Sequence, residues 1–326
     1  MATIHCQNID MSQSVDERRT STLDIARSLG RAVRAEIGGN RMPLRADLGD
    51  QMLVISDISE AASQFTVGVF ITTMSLARQW YEVAFKPWNA TRLYPGERLS
   101  YKNYSASPRD LADLRGYTLV ADQCPGLLLS VVSPNQSQRI VTDVGDVKEQ
   151  PDLADFRNWS DPIFERLMRS SCAISIAMEQ FFCHPERWNL LHDTDQLFEP
   201  LRRDTAMLWL NSFVCVVRDS EITPMLLTTK EEVSDPLFAK ALLGVPDLAA
   251  GGTGSGIHSW NEKYGLAKNQ FVGEDGDVKQ KDEVILNWFG NGARKLVKYI
   301  VSYGDEPDSG CIHLIGRKRR DVDSET

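Results

Sequence analysis

An α+β chain, predominantly α-helical, is what the sequence predicts, with a helical core, a small antiparallel β region and long loops. Three observations lead there. Apolar residues recur at helical spacing in several segments that open on capping residues. Short β-rich runs separated by Pro-Gly and Pro-Asn turns crowd into residues 116–147. Stretches rich in Gly and Pro separate the regular segments.

The elements follow in chain order. Residues 1–13 read as a flexible N-terminal arm. Ser14 with Glu17 fits a capping box. Leu23, Ala26, Leu29, Val33 and Ile37 then give a helical face that Gly38 and Gly39 close. Arg27, Arg31 and Arg34 make a basic stripe on the opposite face. Asp57 with Glu60 reads as a second capping box, opening a buried helix over 61–85 that Pro87 stops. Its middle, FTVGVFITT, is rich in β-branched residues and has strand as its alternative.

Residues 86–109 read as extended loop because Pro87, Pro95-Gly96 and Pro108 punctuate them. Ser107-Pro108 opens a short helix. Tyr117 to Ala121, Leu127 to Val132 and Arg139 to Val144 are strand-like. After a polar linker, Asp161-Pro162 starts a helix, with Pro in its first turn. A second runs from Pro200 to about Val217, and Asp235-Pro236 opens a short third closed by Gly244. Residues 245–280 read as loop, and a last helix spans about Asp282 to Tyr303 with a break at Gly290 and Gly292. The regions are thus 1–13, 14–147, 148–303 (the helical core) and a polar tail, 304–326.

Composition is that of a globular protein, 42% hydrophobic and 25% charged in 326 residues. The net charge is −9, unevenly placed: residues 1–115 are +1 and the remainder −10. Such a chain repels nucleic acid at long range, so any contact with it must be local. The six cysteines are scattered without CxxC spacing and read as free thiols of a reducing compartment. No signal-peptide core or membrane-length apolar run occurs, so an intracellular, cytoplasmic protein without membrane partners is expected.

No catalytic signature and no cofactor motif stands out. Gly251 to Gly256 has phosphate-loop spacing, but Ile257 and His258 occupy the places of the Lys and Ser/Thr. A dinucleotide fingerprint fails at Ile257 as well. Cys183-His184 and Cys311-x-His313 lack a second pair at zinc spacing, and GEDGD around Asp275 lacks the rest of a calcium loop. The densest acid-imidazole cluster is His192, Asp193, Asp195 and Glu199, which also reads as a loop that caps the next helix.

The strongest local signal lies in residues 86–109. Lys86, Arg92, Arg98, Lys102 and Arg109 face a single acid, Glu97, and are interleaved with Trp88, Tyr94, Tyr101 and Tyr104. Cations that follow phosphates, with aromatics that stack on bases, suit single-stranded nucleic acid. Arg and Tyr also suit a subunit interface. With the Arg27, Arg31 and Arg34 stripe, this leads to the expectation of a self-assembling structural protein of coat or nucleocapsid character, homo-oligomeric and contacting RNA. In general character, without a motif, the chain is similar to viral coat proteins, which implies a place in a virion. An enzyme with a dispersed site around His192, Asp193 and Asp195 is the alternative, followed by a protein-binding adaptor with Trp88 and the tyrosines as contacts.

Overall fold

A computed structural model describes residues 4–10, most of 26–34, 51–92 apart from 62 and 63, 95, 99–134, 155–180, 188–193, 197–217 apart from 200, 225–264, 278–291, 295–303 and 309–315. The organising element is one eight-stranded sheet. Its strands are β1 (Ile4–Asp10), β2 (Met52–Ala61), β3 (Gln64–Thr73), β4 (Gly126–Pro134), β5 (Trp188–His192), β6 (Met225–Thr229), β7 (Leu296–Tyr303) and β8 (Ser309–Ile315). They lie in the order β1-β8-β7-β4-β3-β2-β5-β6. β4, β3 and β2 form an antiparallel meander, while β5 joins β2, β6 joins β5 and β7 joins β4 in parallel. The fold is therefore mixed α and β, as expected. The sheet, however, is large rather than small, and antiparallel only in part.

Helices cover both faces. On one side lie α4 (Asp161–Met178) and α5 (Arg203–Val217), with the helical residues described between 26 and 34. On the other lie α1 (Met74–Trp80), α3 (Pro108–Ala121), α6 (Pro236–Tyr264) and α7 (Gln280–Gly290). The core is thus two apolar layers with the sheet between them. The helical region 148–303, expected as the core, instead supplies helices to both faces and three of the strands.

That sandwich explains the reassigned elements. FTVGVFITT is the central strand β3, buried along nearly its whole length. A strand covered on both faces reads as an unbroken apolar run, which resembles a buried helix. Asp57 accordingly lies within β2 and caps nothing. Only Met74 onward is helical. The chain passes through a π-helical turn at Tyr81–Phe85 into α2 (Lys86–Ala90), where Pro87 sits in the first turn and is tolerated there. Tyr117 to Ala121 complete α3, because Tyr117, Val120 and Ala121 continue the buried face begun by Leu111 and Leu114. Ser107 caps that helix by accepting from the Asp110 N–H at 3.1 Å. Leu127 to Val132 do lie in a strand, β4; Arg139 to Val144 fall outside the described residues. Leu296 to Tyr303 leave the expected last helix and form β7. Ile4–Asp10, in the expected arm, pairs with Ser309–Ile315, in the expected tail, at one edge of the sheet.

The largest reversal is the Gly-rich segment. AAGGTGSG is the buried middle of the 29-residue helix α6, which runs through both Gly244 and Pro246. Side chains are missing there because neighbours occupy their space. A Cβ on Gly252 would strike Ile285, one on Gly254 the Thr66 hydroxyl, and one on Gly256 Leu286. Close approach offsets the helix-propensity cost of glycine, which is about 1 kcal/mol per residue. Thr253 completes the fit, its hydroxyl 2.5 Å from that of Ser130 on β4.

Candidate active site

Alternation along β2 decides which way its polar residues point. Met52 and Val54 join the core layer under α4 and α5, whereas Leu53 and Ile55 join the layer under α6. Asp57 continues the second set and faces α6. In β5, Leu190 belongs to the α4 layer and Leu191 to the α6 layer, so Asp193 also points toward α6. The parallel register pairs Ser56 with His192 and His192 with Thr229. One step further, Asp57 within β2 lies in line with Asp193 and Lys230, which follow the last residues of β5 and β6. Lys230 Nζ closes this row with an ion pair of 2.5 Å to Asp193 Oδ1. The carboxyl ends of parallel strands are where open α/β sheets bind ligands.

The third acid arrives from α6. Gly68 of β3 is paired with Asp57 across the hairpin. Having no side chain, it admits the backbone of Pro246, whose carbonyl group fills the place of a Cβ. The next residue, Asp247, thereby reaches Asp57, and their carboxyls hydrogen-bond. Burial first, and the Asp247 charge second, push the Asp57 carboxyl well above the ordinary carboxylate range; Asp193 adds in the same direction. Asp247 is held from its other side by the main-chain N–H of Tyr101, which donates to Oδ2.

Beneath the row, on the opposite sheet face, Ser56 Oγ lies 2.8 Å from His192 Nδ1. Both are buried, and the imidazole packs edge-on against Phe198, ring centres 4.8 Å apart. His192 thus ties β2 to β5 beside the two acids and does not face them. Of the sequence-derived cluster, Asp193 belongs to the site, His192 supports it from behind, and Asp195 lies outside the described residues. Asp57, Asp247 and Lys230 were not anticipated.

The basic-aromatic stretch has other duties. Arg92 makes a two-pronged bond to Asp113, 2.8 Å from Nε to Oδ1 and 2.5 Å from Nη2 to Oδ2, and stacks over Trp88 at 4.8 Å. Lys86 pairs with Glu82 at 2.7 Å. Trp88 packs against Phe85 and Tyr117. Tyr104 is buried and donates to Asp113 at 3.2 Å. Tyr101 donates its hydroxyl to Asp282. Lys102 is exposed; Tyr94 and Arg98 lie outside the described residues. Arg27 donates to the Val216 carbonyl at 2.9 Å and Arg34 to that of Glu179 at 2.6 Å, cations at the ends of α5 and α4 where the helix dipole favours them. Arg31 is exposed. Among the described residues, Lys86, Arg92 and Tyr104 are engaged within the chain, while Lys102 and Arg31 are exposed.

Because the Arg92 side chain is 4% exposed, Arg92→Ala should leave Asp113 without its cation, with the Tyr104 hydroxyl still donating to it, and cost about 2–3 kcal/mol. Chemical denaturation checks it. A loss under 0.5 kcal/mol would mean that the pair is incidental.

Comparison with models of known families, with characterised proteins and with solved structures returns no match. Function is therefore read from the site's own geometry. Among the described residues no three His, Cys, Asp or Glu side chains already close on one point as a metal-ligand set. The donor chemistry nonetheless fits a hard divalent cation. Such ions take carboxylate oxygens, keep several waters, and need only one or two protein carboxylates. Asp57 and Asp247 lie within hydrogen-bonding reach of each other, with Asp193 beside them. Lys230 places a counter-charge beside them, paired with Asp193. Among the described residues no helix is long and apolar enough to cross a membrane.

Proposed function

We propose that the chain is a hydrolase of phosphoesters that works with a divalent cation of the magnesium class held by Asp57 and Asp247, with Asp193 alongside. The observation that carries this reading is the approach of Asp57 of β2 and Asp247 of α6 on one side of the sheet, with Asp193 just past the end of β5 acting on Asp57 as well. Convergence of that kind is costly: burial first, and the neighbouring acid charges second, raise the Asp57 carboxyl. A bound cation removes the cost. When present it would polarise the phosphoester and acidify a water.

The residues of the chain divide the remaining work. Asp57 gives up its proton, and Asp57 and Asp247 supply oxygens. The Tyr101 N–H fixes the orientation of Asp247. Asp193 is 42% exposed at the mouth, and Lys230 beside it is placed to meet a phosphate oxygen. The Ser56–His192 tie holds the two strand ends in step.

The test is hydrolysis of bis(p-nitrophenyl) phosphate and of short oligonucleotides with Mg²⁺ or Mn²⁺, in the wild type and in Asp57→Asn and Asp247→Asn. Cation-dependent turnover that both variants lose supports the reading. Absence of turnover, or turnover that both variants retain, contradicts it.

The coat-type reading, with self-association and RNA contact through residues 86–109, draws its support from the local excess of cations there. Lys86 and Arg92 are engaged inside the chain, and the hydrolase reading is preferred for that reason. Sedimentation of purified protein separates the two: large uniform particles carrying nucleic acid would favour the coat reading.

A further inference from the structure

We propose that the Arg203–Glu232 pair is a guard that closes the β6 edge of the sheet against strand addition by a second copy of the chain. Among the described strands β6 ends the sheet, paired with β5 alone. Its residues, Met225–Thr229, include no charge, no Gly and no Pro, and Leu226 is 61% exposed. An edge of that composition is a template for another strand. Paired antiparallel with its own copy about Leu227, it would set Leu226 against Thr228 and Met225 against Thr229. No like charges would be opposed. This self-complementarity fits a two-fold dimer.

The chain occupies the template itself. Successive residues of a strand turn their main-chain groups to opposite edges, so Leu227 and Thr229 share one edge. Side chains, not a strand, meet them there. Arg203, the first residue of α5, donates from Nη2 to the Leu227 carbonyl at 2.8 Å. Glu232 Oε2 accepts from the Thr229 N–H at 2.8 Å, and the Glu232 N–H donates to the Thr229 carbonyl at 3.0 Å. A two-pronged ion pair locks the two side chains together, 2.6 Å from Nη1 to Oε1 and 3.0 Å from Nη2 to Oε2. The guanidinium fork thus spans the edge and the carboxylate at once. An incoming strand needs the same carbonyl and the same N–H, so it cannot pair until the guard is displaced. Both side chains are partly exposed, where ion pairs add little to stability, so opening the guard spares the fold.

The test is sedimentation velocity of the full chain over a range of concentrations, with circular dichroism to check folding. The proteins are wild type, Arg203→Lys, Glu232→Ala, Glu82→Ala and the double variant Glu232→Ala/Leu226→Lys. Arg203→Lys keeps the charge and loses the fork, and Glu232→Ala frees the Thr229 N–H. Each is expected to self-associate at least about tenfold more tightly than wild type, because main-chain groups are uncovered. Glu82→Ala removes an exposed ion pair with Lys86 that lies off β6, and should match wild type. Leu226→Lys puts a charge on the edge strand and should return the double variant to wild-type behaviour. Unchanged self-association in both Arg203→Lys and Glu232→Ala overturns the proposal. Tighter association that survives Leu226→Lys, or that Glu82→Ala shares, places the contact elsewhere and overturns it too. Where Glu232→Ala loses its fold, Arg203→Lys decides by the same criterion.

Discussion

Asp57→Asn is expected to melt higher than wild type at pH 7 and to lose cation-dependent hydrolysis by a factor of at least about 100. The two effects share a cause. Asp57 sits beside Asp247 in a partly buried place, and its carboxyl titrates above the ordinary range. The sign follows from linkage. A carboxyl whose pKa is raised on folding favours the fold while protonated. That contribution is complete below the unfolded value, near 4, and is lost as pH rises through the folded value. As pH rises through the folded value, the wild-type site takes on the cost of a desolvated charge first and of repulsion from Asp247 second, and the amide avoids both. Relief of such strain at a functional site commonly gives about 0.5–2 kcal/mol, here a few degrees in melting temperature. The gain should shrink toward zero near pH 4, and saturating Mg²⁺ should raise the wild-type melting temperature but not that of the variant. Thermal melts at pH 4 and pH 7, with and without Mg²⁺, check all of this. A variant less stable than wild type at pH 7 would show that Asp57 is a structural acid.

Gly68→Ala is expected to cost about 2–3 kcal/mol and to weaken cation binding together with stability. The added methyl meets the backbone of Pro246 and not the movable end of a side chain. Relief requires α6 to back away from β3. Glycines 252, 254 and 256 fit against neighbouring side chains along the same helix, so α6 cannot shift locally without opening those contacts too. Asp247 follows Pro246 and would leave Asp57. A substitution more than a turn away, Gly256→Ala, should cost stability with little effect on affinity, because it meets the flexible end of Leu286. Denaturant unfolding and Mn²⁺ titration on both variants check the contrast. Equal affinity in Gly68→Ala and wild type would mean that close packing at Gly68 does not place Asp247.

How far the sequence discloses this molecule can be followed through particular residues. Helix starts were legible: Ser107 caps the helix that begins at Pro108, and Asp161-Pro162 open the next long one. Free buried thiols were legible as well, for Cys172 and Cys215. β3 was not, because burial on both faces removes the alternation that marks a strand. α6 was not, because Gly251 to Gly256 lack side chains for the sake of neighbours remote in sequence, and propensity alone reads such a run as loop. Asp57 was taken for a helix cap, which is what Asp three residues before Glu suggests when the preceding run is not seen as a strand.

A usable signal for the site did exist. Two apolar runs end alike, Ile55-Ser56-Asp57 and Leu191-His192-Asp193, each with a buried polar residue followed by an acid. Read as neighbouring parallel strands, they put the acids on one face and the Ser–His tie on the other. Asp247 could not have been found this way, since its place depends on the contact of Pro246 with Gly68. In the basic-aromatic stretch the partners were not legible because they lie outside it in sequence: Lys86 pairs with Glu82, Arg92 with Asp113, and Tyr101 donates to Asp282.

Calorimetric titration of wild type, Asp57→Asn and Asp247→Asn with Mn²⁺ at pH 7 tests the central claim most directly. Saturable binding by the wild type, weakened at least about tenfold in each variant, is the predicted result. No saturable heat in the wild type, or equal affinity in all three proteins, would contradict it.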